Sequence, residues 1–175
     1  MNFSDCIDHS SGVIEYSPNG SLVAIAKGFE INVYETTTLR PVNKFVFNDV
    51  ISSLDWASDS TLILVGIEKR GCAFARNVFD ADWNCKIDEG LSGMINCRWT
   101  PAGRHILTVN DCKLRLTVWS LTDKSVQYIQ SPKYEDKGID FSPDNKLMAL
   151  LQRPNPSMIE TLGSQGDTIG IYETR

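Results

Sequence analysis

The feature that most constrains this chain of 175 residues is a short phrase that occurs four times along it. In each copy, a brief alternating segment ends on an aromatic residue, and turn residues and a second apolar run follow. Pro18 and Gly20 in the first copy are typical turn residues, since proline fixes φ and glycine permits positive φ. The aromatic residues are 40, 43 and 42 residues apart: Tyr16, Trp56, Trp99 and Phe141.

Alternation of apolar and polar residues predicts that each copy is built from β-strands. Ile95, Cys97 and Trp99 alternate with Asn96 and Arg98, which is the two-residue period of a half-buried strand. The copies show no 3.6-residue period, so helical repeats of similar length are excluded. We therefore predict an all-β fold built from antiparallel meanders.

A second aromatic residue ends the third strand of each copy. These residues follow the first aromatic by 18, 18, 20 and 31 positions: Tyr34, Phe74, Trp119 and Tyr172. A repeat of about 40–45 residues with four strands is typical of a WD-repeat β-propeller blade. The chain lacks the Trp-Asp and Gly-His dipeptides of such blades, so we expect their Asp–His–Ser–Trp hydrogen-bond network to be missing.

The repeat predicts a partial propeller of about four blades, of which the last is incomplete. The blades are expected at residues 13–47, 48–90, 91–130 and 131–175, with a Pro-, Gly- and Ser-rich surface loop at 153–167. Residues 1–12 form a leading segment that could supply a closing strand. Because no residues follow Arg175 to complete the last blade, we expect self-association through an open propeller edge. Two chains in one larger ring, or a four-blade ring closed by residues 1–8, are the alternatives.

Composition excludes several classes of function. A net charge of −5 argues against nucleic-acid or anionic-membrane binding, and no segment reaches the ~20 apolar residues that cross a bilayer. The five cysteines form no Cys-x-x-Cys pair and no zinc spacing, and no apolar leader follows Met1. We therefore expect a chain without metal or cofactor in the cytoplasm.

Carboxylates cluster in the second copy, and paired carboxylates could act as general acid and base. They are Asp80, Asp82, Asp88 and Glu89. Asp and Glu are also common turn formers between strands, and this interpretation is favoured. His9 and His105 lack a recognisable nucleophile motif, so the sequence predicts no enzyme. The four first-strand aromatics are expected to anchor the blades, as are the four that end the third strands, rather than to form a recognition surface.

The segment 83–90 is the candidate for protein binding. Trp83 is accompanied by alternating charges at a blade edge: Lys86, Asp88 and Glu89. A charged rim around an aromatic residue is a common interface composition. In the alternative interpretation, Trp83 and Ile87 pack against the neighbouring blade and the charges are simply solvated.

Several segments together resemble the WD-repeat-containing protein 8 family of centrosomal and spindle-pole propellers. They are residues 1–4, 83–90, 103–107, 114–121 and 124–126, and the resemblance extends to about Leu151. It implies a non-enzymatic scaffold that contributes to microtubule anchoring and mitotic spindle assembly. The implied partners are a coiled-coil anchoring protein of the spindle pole and a minus-end-directed kinesin.

Two rival functions remain open at the level of sequence. An enzymatic propeller would need acidic or histidine residues that converge on the central channel. A substrate-recruiting subunit of another cytosolic complex, such as a ubiquitin ligase, would have the same blade pattern.

Overall fold

The computed structural model describes residues 12–135, 137–154 and 166–174. In these residues the chain forms antiparallel β-sheets, together with two 3-10 helices at Glu68–Arg70 and Gly90–Ser92. The predicted all-β fold of propeller blades is confirmed. The strands are β1 (Ile14–Tyr16), β2 (Leu22–Lys27), β3 (Glu30–Glu35), β4 (Pro41–Val46), β5 (Ser53–Trp56), β6 (Leu62–Ile67), β7 (Cys72–Asn77), β8 (Asn84–Asp88), β9 (Asn96–Trp99), β10 (His105–Val109), β11 (Arg115–Ser120), β12 (Val126–Gln130), β13 (Ile139–Phe141), β14 (Leu147–Gln152) and β15 (Thr168–Glu173).

The chain divides into two compact units, Met1–Ile87 and Asp88–Arg175. The first unit contains the sheets β1-β2-β3-β4 and β5-β6-β7-β8, each in sequence order. The second contains the four-stranded sheet β9-β10-β11-β12 and the sheet β13-β14-β15, which has three strands in the described residues. We number these four sheets as blades 1 to 4.

In blades 1 and 3, a hydroxyl side chain closes the turn between the first two strands. In blade 1, the amide of Leu22 donates to Ser17 Oγ at 3.0 Å, and the amide of Ser17 donates to the Leu22 carbonyl at 2.9 Å. Gly20 has φ of 71°, a conformation that suits glycine. Thr100 plays the same part in blade 3, since its Oγ1 donates to the carbonyl of His105 at 3.2 Å.

The core of the first unit lies between blades 1 and 2. The second strands are almost wholly buried, and they pack with β3 and β4 around residues such as Ile31, Val33, Phe45, Ile63 and Val65. Three hydrogen bonds also link the two blades: Trp56 Nε1 donates to the Glu15 carbonyl, Asn43 Nδ2 to the Val78 carbonyl, and the amide of Asn19 to Ser60 Oγ. Burial of apolar surface between adjacent blades is therefore what stabilises this unit.

The second unit repeats this arrangement between blades 3 and 4. Its core joins side chains of the strands β10, β11 and β12 to two residues of β14: Leu107, Val109, Leu116, Ile129, Met148 and Leu150. The amide of Lys133 donates to the Leu151 carbonyl at 3.0 Å, and Gln152 Nε2 donates to the Gln130 carbonyl at 2.9 Å.

The first-strand aromatics do not all occupy buried positions. Trp56 and Trp99 are buried and Phe141 is half-buried, but Tyr16 is 60% exposed. Along β1 the residues alternate, so that Glu15 lies on the partly buried side and Ile14 and Tyr16 on the exposed side. Tyr16 is therefore not a buried anchor of blade 1, contrary to expectation.

Strand pairing also shows that Phe74, the aromatic residue expected to anchor the third strand of blade 2, does not lie at the position that the other third-strand aromatics occupy. In blades 1, 3 and 4, the third-strand aromatic pairs with the second-strand residue that also pairs with the first-strand aromatic. The pairs are Tyr34 with Val23, Trp119 with Ile106, and Tyr172 with Met148. In blade 2 the equivalent residue, Ile63, pairs with Arg76 rather than with Phe74. The Arg76 guanidinium lies 5.8 Å from the ring centre of Phe74 and 5.9 Å from that of Phe47, so a cation–π cluster takes the place of one aromatic.

Two expectations fall wholly or largely outside the described residues. Residues 1–11 of the leading segment are not described, and neither are residues 155–165 of the expected surface loop. Strand β15, which follows that loop, exposes Ile169 and Ile171 at 69% each.

Candidate interaction site

The segment 83–90 is divided between the two compact units, which meet in sequence at Ile87 and Asp88. Trp83 and Lys86 belong to the first unit. Trp83 is half-buried just before β8, whereas Lys86 is exposed and the following Ile87 is buried. The alternation along β8 thus places Lys86 on the solvent side, as both interpretations of this segment require.

Glu89, in the second unit, lies in a different environment from the one expected. Its side chain is fully buried, and its Oε2 accepts a hydrogen bond from Arg115 Nη2 at 2.9 Å. The strand alternation ends at Asp88, because Glu89 has φ of −80° and ψ of 1° and leads into the 3-10 helix Gly90–Ser92. Glu89 is therefore neither a solvated rim charge nor part of an exposed interface, while Asp88 remains exposed.

The buried carboxylate of Glu89 belongs to a network of four side chains. Thr108 donates its hydroxyl hydrogen to Glu89 Oε1 and accepts a hydrogen bond from Trp119 Nε1 at 2.8 Å. Arg115 supplies the positive charge, and its guanidinium also lies 4.7 Å from the ring centre of Tyr128. A buried carboxylate that is paired and hydrogen-bonded in this way avoids most of the cost of its desolvation.

An acid–base pair also occurs in the connection between blades 1 and 2. Asp49 pairs with Arg70 Nε at 3.0 Å and with Lys69 Nζ at 3.7 Å. The amide of Val50, and then Arg70, hold the pKa of the Asp49 carboxyl below its usual value. In the connection between blades 3 and 4, Glu135 pairs with Lys113. The same kind of ion pair thus occurs three times among the described residues. An acidic residue before the first strand of a blade (Asp49, Glu89 or Glu135) pairs with a basic residue in or next to a turn between second and third strands.

Two of the four candidate catalytic carboxylates, Asp80 and Asp82, lie in an exposed turn before β8. Asp80 Oδ1 accepts a hydrogen bond from the amide of Asp82 at 3.1 Å, and Asn77 Oδ1 accepts one from the amide of Asp80 at the same distance. These contacts are the turn chemistry that the alternative interpretation requires. Among the described residues, no group of three His, Cys, Asp or Glu side chains could hold a metal ion.

His105 lines a cavity of about 380 Å³ within the second unit. The floor of the cavity is apolar, with Leu107, Val118 and Met148, and its rim includes the half-buried Tyr172. Burial holds the pKa of the His105 imidazole below its usual value. His9, the other histidine of the sequence analysis, lies outside the described residues.

Glu15 is a titratable group of the first unit whose pKa is strongly raised. Burial, followed by the nearby charge of Asp55, raises the pKa of the Glu15 carboxyl to about 7. Its Oε2 has no hydrogen-bond partner in the described residues. Sequence reasoning did not identify Glu15, because its burial depends on contacts that the sequence pattern does not show.

Comparison with known proteins identifies one sequence relative and many structural ones. No protein-family model matches the chain. The chain is 37% identical over 153 residues to the mouse WD repeat-containing protein WRAP73, a match that covers 87% of the chain and 33% of that protein. The chain thus spans about a third of the length of this curated relative.

Solved structures with the same fold are much less similar in sequence. The β-propeller domain of Myceliophteria thermophila Cps50 (Swd1) superposes with a TM-score of 0.66 at 9% identity, over 85% of the chain and 51% of that chain. The chain has the fold of a WD-repeat β-propeller. A chain of the mitotic checkpoint complex gives a TM-score of 0.62 at 13% identity, over 78% and 42% of the two chains. Kuenenia stuttgartiensis hydrazine synthase gives 0.62 at 12% identity, over 99% and 49%.

The Glu89 network can be compared with the Asp–His–Ser–Trp hydrogen-bond network of WD-repeat blades. The expected Asp–His–Ser–Trp side chains are absent as residue types, yet blade 3 retains a tryptophan–hydroxyl pair in Trp119 and Thr108. An ion pair between Glu89 and Arg115 completes the network in place of histidine and aspartate. Blade 3 thus has a buried polar network that differs from the Asp–His–Ser–Trp network and that the sequence analysis did not predict. An acidic residue before the inner strand, together with an arginine at the start of the third strand, is the signal that could have revealed it.

In the part of the chain that the structure describes, no helix is long and apolar enough to cross a membrane. Of the described cysteines, Cys72 and Cys97 are buried, Cys85 is half-buried and Cys112 is exposed, and all four are free thiols.

Proposed function

We propose that this chain is a non-enzymatic scaffold for protein–protein interaction at the centrosome or spindle pole, in the cytoplasm and cytoskeleton. In this role it contributes to microtubule anchoring and to assembly of the mitotic spindle. The observation that carries the proposal is the 37% identity to WRAP73 over 87% of the chain.

Fold alone does not select this function. Solved chains with TM-scores of 0.62 include both a mitotic checkpoint complex and a hydrazine synthase, at identities of 12–13%. A fold that supports binding proteins and enzymes alike leaves the choice to surface residues and sequence similarity. Sequence similarity favours the spindle-pole scaffold, and no observation specifically favours a ubiquitin-ligase receptor.

The proposed partners are a coiled-coil anchoring protein of the spindle pole and a minus-end-directed kinesin. Proximity labelling in dividing cells tests the proposal directly, with the chain fused to a biotin ligase. We expect pole components to be enriched over a control fusion of an unrelated propeller, and the tagged chain to concentrate at poles by imaging. Recovery dominated by ubiquitin-ligase subunits, without enrichment at poles, would refute the proposal.

Self-association is a separate proposal supported by blade 4. Strand β15 forms one edge of its sheet in the described residues, and it exposes Ile169 and Ile171. Free strand edges with exposed apolar residues invite pairing with another strand. Light scattering coupled to gel filtration should show species larger than the 19.5 kDa monomer. A monodisperse and heat-stable monomer would rule out this association.

A further inference from the structure

Three loops lie side by side along one edge of the second unit. The central loop, residues 110–114, connects β10 to β11. The amide of Asp111 donates to the carbonyl of Ser92 at 3.2 Å, which joins the central loop to the connection before β9. The amide of Ser131 donates to the carbonyl of Leu114 at 2.7 Å, which joins it to the connection before β13. The ion pair between Lys113 and Glu135 strengthens this second junction.

The central loop is held in one conformation by its own hydrogen bonds. Asn110 Oδ1 accepts from the amides of Leu114 and Arg115 at 3.0 and 3.3 Å, and Lys113 takes a positive φ of 52°. Gly93 approaches so closely that an added Cβ would lie 3.3 Å from the Cβ of Asp111. Because the loops are ordered in advance, a ligand that binds them loses little entropy in fixing them.

Each of the three loops exposes a large apolar side chain. Leu91 is fully exposed, Leu114 is 62% exposed and Tyr134 is 42% exposed. Single exposed apolar residues are ordinary, but a group of them on adjacent and ordered loops is typical of a protein-binding surface. We call Leu91, Asp111, Leu114 and Tyr134 the loop surface.

Charge indicates what kind of segment the loop surface would bind. Asp111 is exposed and forms no ion pair with any described residue. The basic side chains around it already have carboxylate partners: Lys113 with Glu135, Arg115 with Glu89, and Lys133 with Asp167. Asp88 is exposed in the strand that leads to Leu91, and the chain as a whole carries a net charge of −5. A positively charged ligand is therefore favoured near Leu91 and Leu114, with the exposed Lys137 at the far end beyond Tyr134.

We propose that the loop surface binds an amphipathic basic segment of another protein. Large apolar side chains of that segment contact Leu91, Leu114 and Tyr134, and a lysine or arginine pairs with Asp111. This inference rests on the proposed function only in that the chain acts by binding proteins. It adds the residues that bind and the chemistry that they recognise.

Fluorescence anisotropy with labelled model peptides tests the proposal on the whole chain. The probe is a helical peptide of roughly 18 residues, or five turns, made of leucine and lysine with leucines on one face. A peptide of leucine and glutamate, and a scrambled leucine–lysine peptide, serve as controls for charge and for amphipathicity. We expect the amphipathic basic peptide to bind more tightly than either control.

Surface variants then locate the binding. Leu91→Ser combined with Leu114→Ser should weaken peptide binding by about fivefold or more, as for residues central to an interface, and Asp111→Lys should weaken it similarly. Val46→Ser is the matched control, because Val46 is 63% exposed on β4 of the first unit. Circular dichroism should show unchanged melting for all variants. Bound peptide should also protect the exposed thiol of Cys112, within the central loop, from alkylation as measured by mass spectrometry.

Binding that is absent, or that is unchanged in the loop-surface variants, would overturn this inference. Binding that is reduced equally by Val46→Ser would do the same, because it would show general adhesion to an acidic protein. If peptide binding depends on the loop surface but the chain does not reach spindle poles, the proposed function fails and the docking surface stands.

Discussion

Blades 2 and 3 both place an acid before the inner strand and an arginine near the turn that follows the second strand, but the two pairs differ in environment. Asp49 is itself largely buried, with 12% of its side chain exposed, but 55% of the side chain of its partner Arg70 is exposed. Glu89 and Arg115 lie inside blade 3, where the glutamate side chain is fully buried and is hydrogen-bonded to Thr108. The difference follows from one strand position, because Thr108 is polar whereas its equivalent in blade 2 is Val65. An acid–base pair at similar places in the two blades is therefore open to solvent on its arginine side in blade 2 and part of a buried network in blade 3.

The third-strand position next to the second strand also carries different residues in blades 2 and 3. Trp119 donates to Thr108 at the third-strand position of blade 3, whereas blade 2 has Arg76 there, in cation–π contact with both Phe47 and Phe74. Blade 3 thus stabilises its centre with polar hydrogen bonds, and blade 2 does so with apolar packing and a cation–π cluster. What the two blades share is a buried tryptophan at the end of the inner strand.

Truncation of that shared tryptophan should have the largest effect in both blades. Trp99→Ala and Trp56→Ala remove side chains that are 6% and 5% exposed, and each should cost about 3–5 kcal/mol of unfolding free energy. Urea unfolding followed by circular dichroism measures the loss. Tyr16→Ala, at the equivalent but exposed position of blade 1, is the control and should change stability by less than about 0.5 kcal/mol. A wild-type melting temperature for Trp99→Ala would show that blade 3 does not depend on this residue.

Removal of the acidic residue should lower the unfolding free energy by different amounts in the two blades. Glu89→Ala leaves Arg115 without its counter-ion and Thr108 without its acceptor, so it should cost about 3 kcal/mol or more. Asp49→Ala should cost clearly less, because its partner Arg70 remains solvated. The same urea experiment gives both values, and an Arg115→Ala double-mutant cycle gives the coupling between Glu89 and Arg115. Equal losses for Glu89→Ala and Asp49→Ala would show that burial does not distinguish the pairs.

Sequence patterns predicted the periodic parts of this chain well. The four-fold spacing of aromatic residues and the strand alternation were enough to predict propeller blades, because burial between neighbouring sheets imposes that period. The burial and the hydrogen-bond partners of individual polar residues were less predictable, because they depend on contacts between residues distant in sequence. Glu89 is buried by Thr108 and Arg115, which lie 19 and 26 residues away. Phe74 illustrates the same limit, because only strand pairing shows that Arg76 occupies the aromatic position.

The pH dependence of the first unit should reveal another buried acid. Burial and Asp55 raise the pKa of Glu15 to about 7, above its value in the unfolded chain. The folded state therefore retains a proton that the unfolded state has lost, and stability falls as pH rises from about 4.5 to 7. Glu15→Gln should flatten this dependence and stabilise the first unit at pH 8. Hydrogen exchange of β1 and β5 followed by mass spectrometry measures it, with Glu30→Gln, in an exposed ion pair with Lys44, as the control. A slope that persists in Glu15→Gln would assign the titration to another group.

Charge reversal at the outer strand of blade 2 should have the smallest effect on stability. Because Glu89 is buried and is not a rim charge, Lys86→Glu tests the outer strand of blade 2 alone. Exposed charges contribute about 0–1 kcal/mol to folding, whereas rim charges influence encounter and specificity, so stability should be retained while partner binding weakens. Lys44→Glu is the matched control, because Lys44 precedes the buried Phe45 on β4 as Lys86 precedes Ile87 on β8. Recruitment of the tagged variants to spindle poles, at equal expression, measures the difference. If Lys86→Glu and Lys44→Glu are both recruited like the wild type, neither lysine belongs to the interface, and the binding role predicted for Lys86 is wrong.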